Sequence, residues 1–207
     1  MNPIATIRYP NVQGVPLRDP RLGELIAVDQ SLRGPGVAVF HQGILTASCT
    51  LPQKSDPNTP IAQRTYNVAA SIVTWLYDKT ERPTTLAIEW PQIYRASKSK
   101  GDPNDMLAVA GVGAALAGLL SAVCYQNGNG WCLQIRSPLP AEWAGQLPKC
   151  TNPKLASESP RARRILSRLS EREREVATLK HDALDAIGIG LFILGRLDPV
   201  RVFPGAK

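Results

Sequence analysis

The segment His181-Asp182-Ala183-Leu184-Asp185-Ala186 runs directly into Ile187 to Leu194, a stretch with no charged residue at all. A helix that is apolar on every side has to be buried in a core. Its two aspartates are three residues apart, so they lie on one side, one turn above the other. They are therefore held at the core's rim, where two like charges raise each other's proton affinity unless a cation compensates them. Two readings follow. Acids in the first turn of a helix are favoured by its free N–H groups and its macrodipole, which requires no ligand. Alternatively, the pair is part of a divalent-cation site. This segment alone does not separate the two, and the rest of the chain has to.

Two more carboxylates close apolar runs further upstream. Glu24 to Asp29 reads as a buried strand that delivers Asp29 to the edge of a sheet. Gln30 to Gly36 breaks it, and Val37–Phe40 and Ile44–Ala47 flank His41-Gln42-Gly43 as a hairpin. The chain thus begins its ordered part with a three-stranded antiparallel meander. Ile61 to Tyr77 places Ala62, Tyr66, Ala69, Ile72, Val73 and Leu76 at helical spacing, an amphipathic crossover helix stopped by Pro83. Thr84 to Glu89 then repeats the pattern of a β-prone run ended by an acid. A parallel central strand would set Glu89 beside Asp29. A carboxylate facing water at a strand end is ordinary for one residue, but the repetition at two is less so.

The second half is organised around another uncharged stretch. Met106 to Cys124 is 19 residues without a charge, close to the length that spans a bilayer. About half of it is Ala and Gly, however, and Asp102 and Asp105 precede it without a basic belt, which favours a core helix over a membrane span. Gly111, Gly113, Ala114, Ala117 and Gly118 allow close backbone approach, so the helix reads as buried all round, against the sheet and against a second subunit. Asn127 to Gly130 is a turn, Trp131 to Ile135 a fifth strand, and Pro138 to Lys149 an irregular loop.

Charge is concentrated after that loop. Lys149 to Lys180 holds nine Lys and Arg against four Glu, in a chain of net charge +7 and pI near 9.5, which favours a polyanionic partner. Within it Ala162, Ile165, Leu169, Val176 and Leu179 form an apolar stripe, leaving the arginines either as a solvated face paired with Glu or as a surface for backbone phosphates. The loop from Trp90 to Lys100 combines Trp90 and Tyr94 with Arg95, Lys98 and Lys100, aromatics that can stack on bases beside cations that hold phosphates; its bland alternative is a solvated loop with Trp90 in the core. The four cysteines form no CxxC pair and there are only two histidines, so a zinc cage has little to build with. With no basic-then-apolar leader, the expected setting is the cytoplasm. The expected organisation is an extension at 1–22, one domain at 23–198 and a tail at 199–207.

Three strands, a helix, a strand ending in Glu, a helix, a strand and then helices, the last with paired aspartates, is the order of an RNase H-like domain, an α/β fold with a five-stranded mixed sheet flanked by helices. In that order the sequence resembles the RuvC family of Holliday junction resolvases, in particular its bacteriophage-type members. The residues that carry the resemblance are Ala27-Val28-Asp29-Gln30-Ser31, Ala87-Ile88-Glu89, the Ala/Gly-rich helix after Asp105, Trp143-Ala144-Gly145-Gln146-Leu147-Pro148-Lys149 and the His181 to Ala186 segment. The resemblance extends over roughly Leu25 to Leu197.

The resemblance implies that Asp29, Glu89, Asp182 and Asp185 are ligands for Mg²⁺, with Mn²⁺ as a substitute. Carboxylate oxygens suit such hard ions, and two of them about 4 Å apart can stabilise both oxygens of an in-line phosphodiester displacement. It implies a homodimer through the Ala/Gly-rich helix, acting as a structure-selective endodeoxyribonuclease that nicks two strands of a four-way junction symmetrically. Lys149 is assigned to the charge that develops on the phosphorane. Lys149, Lys154, Arg161 and Arg164 join Trp90, Tyr94, Arg95, Lys98 and Lys100 as residues expected on branched DNA. Two features depart from the family: Pro138 to Lys149 is richer in proline than the glycine-rich, lysine-bearing loop of cellular members, and residues 1–21 have no counterpart. The competing readings are a less discriminating flap or fork endonuclease and a catalytically silent RNase H-like DNA-binding module. An ATP-handling protein of the actin and sugar-kinase type duplicates this domain, for which 207 residues leave no room.

Overall fold

The computed structural model describes residues 23–54, 56, 58–91, 103–126, 133–144, 147 and 157–198. The meander forms as expected, from β1 (Glu24–Asp29), β2 (Gly36–His41) and β3 (Ile44–Thr50). Gln42 and Gly43 both take positive φ, 49° and 78°, the two-residue turn whose twist matches that of flanking antiparallel strands. Helix α1 (Ile61–Leu76) then crosses over and β4 (Pro83–Ile88) returns parallel to β1. After α2 (Pro103–Gln126), β5 (Gln134–Arg136) pairs parallel with β4, giving a sheet of order β3-β2-β1-β4-β5.

Because side chains alternate along a strand, the sheet supplies two cores. On one face Ile26, Val28, Val37, Val39, Leu86 and Ile88 pack with Val68, Ala69 and Ile72 of α1 and Val112, Leu116 and Leu120 of α2. On the other, Leu25, Ala27, Ala38, Phe40 and Ala87 are covered by α6 (His181–Ile193) through Leu184, Ile187 and Leu191. Two short helices, α3 (Pro140–Trp143) and α4 (Pro160–Leu166), complete that layer with Trp143, Ala162 and Ile165. Helix α5 (Glu171–Val176) lies against β3.

Several expectations are corrected. The buried face of α1 is Thr65, Val68, Ala69, Ile72 and Leu76, and Tyr66 is 51% exposed on the other side. The inward stripe is set by the β-branched and small residues that fit against the sheet, and the larger ring is turned out. Pro83 opens β4 instead of ending α1. Helix α2 is not buried all round: Val112, Gly113, Leu116 and Leu120 face inward, whereas Leu107 (67% exposed), Ala114, Gly118 and Ser121 face out. By length and composition Asp105–Cys124 could cross a membrane. Its inner stripe is packed as a core helix. The fifth strand is shorter than expected, with residues 131 and 132 outside the described ones, and part of the expected loop is α3. Val176 and Leu179 are exposed, so only Ala162, Ile165 and Leu169 form the stripe in the basic segment. The proposed arm at 1–22 and tail at 199–207 lie outside the described residues.

A charge inside this layer went unread in the sequence. Glu173 is buried at the start of α5, where it closes a capping box with Ser170 and accepts from Leu45 N at 2.9 Å and from Arg196 Nη1 and Nη2 at 2.6 and 2.8 Å. One carboxylate thus ties α5 to β3 and to the chain leaving α6. Burial alone would raise its pKa, but the Arg196 guanidinium, the Leu45 N–H and the Ser170 donors outweigh that and bring it from 4.5 down to about 2. A carboxyl whose folded pKa lies below its unfolded value contributes stability that is fully present above about 4.5 and is lost as pH falls through about 2. Glu173→Gln is therefore expected to lose about 2–3 kcal/mol at neutral pH and to flatten the pH dependence of urea unfolding below pH ~4.5.

Candidate active site

The central parallel ladder aligns two of the candidate acids. Val28 pairs with Ile88, so Asp29 and Glu89, the next residue of each strand, leave the sheet side by side. Glu89 N donates to Val28 O at 3.3 Å, which extends the ladder by one rung. Gln30 adds a second tie: its Nε2 donates to Glu89 O at 2.7 Å. The Gln30 amide lies against α2 where Gly113 leaves room for it, since a Cβ there would stand 2.5 Å from Gln30 Oε1. The backbone on both sides of Asp29 is thus fixed relative to Glu89.

The other two acids arrive on α6. Gly36 is the antiparallel partner of Asp29, and a Cβ on it would lie 1.8 Å from the carbonyl oxygen of Asp182. The first turn of α6 therefore rests on the backbone of β2 at the rung that Asp29 occupies. At its other end Gly190 faces Phe40, where a Cβ would meet the ring at 2.1 Å. Two glycines, one on the strand and one on the helix, let α6 lie this close to the sheet. The side chain of Asp185 is 3% exposed and that of Asp182 41%, so the pair spans the rim of the core. His181 Nδ1 stands 3.7 Å from Asp182 Oδ1 and the same distance from Asp185 Oδ2.

Two residues of the following segments reach the acids. Buried Trp143 donates its indole N–H to Glu89 Oε2 at 2.7 Å. Gly188 of α6 makes space for its ring. Arg161 lies over that indole, 5.4 Å from the ring centroid, and its Nη1 stands 3.3 and 3.2 Å from the two oxygens of Asp185. Its Nη2 donates to Leu147 O at 2.8 Å. Glu89, Trp143, Arg161 and Asp185 thus form one continuous chain of contacts across the site.

The expected DNA contacts divide accordingly. Arg161 and Arg164 do not offer open guanidinium groups in this structure: Arg161 is 12% exposed and engaged as above, and Arg164 donates to Trp143 O and Asp198 O. Both donate to backbone carbonyls of other segments. Trp90 is half-buried, with its backbone N–H on Pro138 O at 3.4 Å, beside Glu89. Tyr94, Arg95, Lys98, Lys100, Lys149 and Lys154 lie outside the described residues. Trp143 and Gln30 were not anticipated as partners of Glu89. A buried Trp does need an acceptor for its N–H, and that signal was available in the Trp143 motif.

Whether a divalent ion fits can be judged on the donors and on their arrangement. The donors are hard carboxylate oxygens, the kind that Mg²⁺ and Mn²⁺ take. Among the described residues, however, no three His, Cys, Asp or Glu side chains converge on one metal position. The acids suit the ion in kind, with Glu89 turned to Trp143 and Asp185 to Arg161.

No protein-family model matches the sequence, and no curated protein matches it. Among solved structures, the yeast mitochondrial Holliday junction resolvase Ydc2 is 15% identical over 84% of this chain and 78% of its own, with a TM-score of 0.52. Thermus thermophilus RuvC in complex with a Holliday junction substrate gives a TM-score of 0.44 at 14% identity, over 86% of this chain and 99% of its own. A further structure of T. thermophilus RuvC gives 0.44 at 17% identity over the same shares, 86% and 99%. The likeness to the yeast enzyme is one of fold: the chain has the RNase H-like architecture of that resolvase, a five-stranded mixed sheet flanked by helices.

The close approach at Gly36 makes a direct test of how the acids are assembled. Gly36→Ala is expected to lift the first turn of α6 from β2 and to lower stability by about 2–4 kcal/mol in urea denaturation. An unchanged midpoint would mean that α6 does not rest on that rung.

Proposed function

We propose that this chain is a structure-selective endodeoxyribonuclease that resolves four-way DNA junctions by divalent-metal-dependent hydrolysis, working as a homodimer. The observation that carries the reading is that strand ends and helix start meet at one end of the central strands: Asp29 and Glu89 side by side on β1 and β4, with Asp182 and Asp185 on the turn of α6 that rests on Gly36. Sharing an architecture with the yeast Holliday junction resolvase supports it. So does the charge, since a net +7 concentrated after Lys149 suits a polyanion.

In this proposal Asp29, Glu89, Asp182 and Asp185 hold Mg²⁺ or Mn²⁺, which when bound supplies Lewis-acid stabilisation of the phosphate and an activated water. The chain's own contribution is to orient those carboxylates. Gln30 fixes the backbone of Glu89, the Trp143 indole fixes its side chain, and burial fixes Asp185. Lys149 neutralises charge that develops on the scissile phosphate, and Trp90, Tyr94, Arg95, Lys98, Lys100 and Lys154 contact DNA beside it. The outward stripe of α2, with Leu107, Ala114, Gly118 and Ser121, is the face that a second copy would cover. An isologous dimer would set two sites across a two-fold axis, matching the pseudo-symmetry of a four-way junction.

The test is cleavage of end-labelled four-way junctions beside matched duplex, flap and fork, with Mg²⁺ or EDTA. The expected result is paired symmetric nicks in the junction, absent with EDTA and reduced at least ~100-fold in Asp29→Asn, Glu89→Gln and Asp185→Asn, with junction binding retained. Equal cutting of flap and fork would replace the junction with branched DNA in general. Full activity of Asp185→Asn would overturn the site.

A further inference from the structure

We infer that Arg161 is a positioning residue that stands in for the divalent cation at Asp185 and has to release that carboxylate when the cation binds. The inference rests on the reading of the acids as metal ligands and adds to it a competitor built into the chain. It bears on the mismatch between a donor set that suits a hard cation and an arrangement in which, among the described residues, no three donors converge.

Two buried ion pairs among the described residues differ in a way that separates a structural role from an exchangeable one. Arg196 holds Glu173 at 2.6 and 2.8 Å, with Leu45 N and Ser170 completing the carboxylate's shell. Arg161 approaches Asp185 through one nitrogen only, at 3.3 and 3.2 Å, where charge-assisted bonds are usually about 2.7–2.9 Å. Its Nε is buried and has no hydrogen-bond partner among the described residues. A buried pair offsets the desolvation of its charges only when the contact is close and the remaining donors are satisfied. Arg161 with Asp185 meets neither condition, so Arg161's own hold on the buried carboxylate is weak.

The rest of Arg161 is anchored independently of Asp185. Its Nη2 is on Leu147 O and its guanidinium lies over Trp143, whose indole N–H holds Glu89. Letting go of Asp185 therefore requires a small displacement of Nη1 and leaves the other contacts in place. A guanidinium supplies no lone pair to a metal, and its positive charge opposes a second cation on the same oxygens. Occupation of Asp185 by Arg161 and by a divalent ion are thus alternatives, and the apparent affinity for the ion falls by the share of molecules in which Arg161 holds the carboxylate.

Mn²⁺ titration by isothermal calorimetry on wild type, Arg161→Gln, Arg161→Lys, Asp185→Asn and the Arg161→Gln/Asp185→Asn double variant tests this, with circular dichroism to verify folding. Arg161→Gln is expected to bind Mn²⁺ roughly tenfold more tightly than wild type. Arg161→Lys, which keeps the charge, should stay near wild type, and the gain should vanish in the Asp185→Asn background. Arg161→Gln binding no more tightly than wild type would overturn the inference while leaving the metal site standing. No Mn²⁺ binding by either folded wild type or folded Arg161→Gln would instead remove the metal-site reading itself, and the inference with it. Should Arg161→Gln not fold, the wild type answers alone: the ¹⁵Nε resonance of Arg161, assigned by its loss in Arg161→Lys, should shift as Mg²⁺ saturates the protein. A resonance that stays in place at saturation would overturn the inference.

Discussion

The parallel ladder between β1 and β4 is the constraint on which the rest of the structure depends. It sets Asp29 and Glu89 side by side, and it exists because α1 carries the chain back across one face of the sheet. Once that pairing is made, β2 on the far side of β1 fixes where α6 can lie, since Gly36 is the partner of Asp29 and accepts the first turn of the helix. The four acids come from positions 29 to 185 of the sequence, yet their placement follows from one register and one close approach. A one-residue slip of β4 would exchange the two faces of the strand and send Glu89 away from Asp29.

Much of this was legible because it is locally encoded. Short β-prone runs bounded by glycine and proline mark β1 to β4, and the hairpin at Gln42-Gly43 is set by its turn residues. The uncharged run after Asp185 marks α6, with bounds close to those expected. What was not legible depends on contacts between distant segments. The apolar spacing of α1 included Ala62 and Tyr66, but the sheet selects the face with Thr65 and Val68. The Ser-x-x-Glu spacing of Ser170 and Glu173 marks a helix start, but nothing local shows that Glu173 is buried on Arg196 while the glutamates on either side of it are exposed. Arg161 and Arg164 belong to a run of cations that reads as a phosphate-facing surface, and both are turned inward by Asp185 and by backbone carbonyls that are far away in the sequence. Composition records the number of charges and not their direction.

The site also shows how buried polar groups are distributed between holding the fold and serving chemistry. Glu173 has a closed shell of donors and joins three segments, so its charge is part of the fold. Glu89 and Asp185 each lean on a side chain from the α3–α4 region that is itself packed against α6, Trp143 in one case and Arg161 in the other. Both carboxylates are thereby held in place by the layer that covers the sheet beside α6. The glycines that permit this lie where two backbones or a backbone and a ring come together, at Gly36 and Gly190, while Gly118 on the outer face of α2 meets nothing.

The central claim is that the acids of β1, β4 and α6 form one divalent-cation site. Anomalous diffraction from crystals of the protein soaked in Mn²⁺ addresses it without reference to substrate or activity. The account predicts a strong anomalous peak between Asp29, Glu89 and the start of α6, with at least three of the four carboxylates as ligands. Well-diffracting crystals with Mn²⁺ elsewhere, and none at those carboxylates, would contradict it.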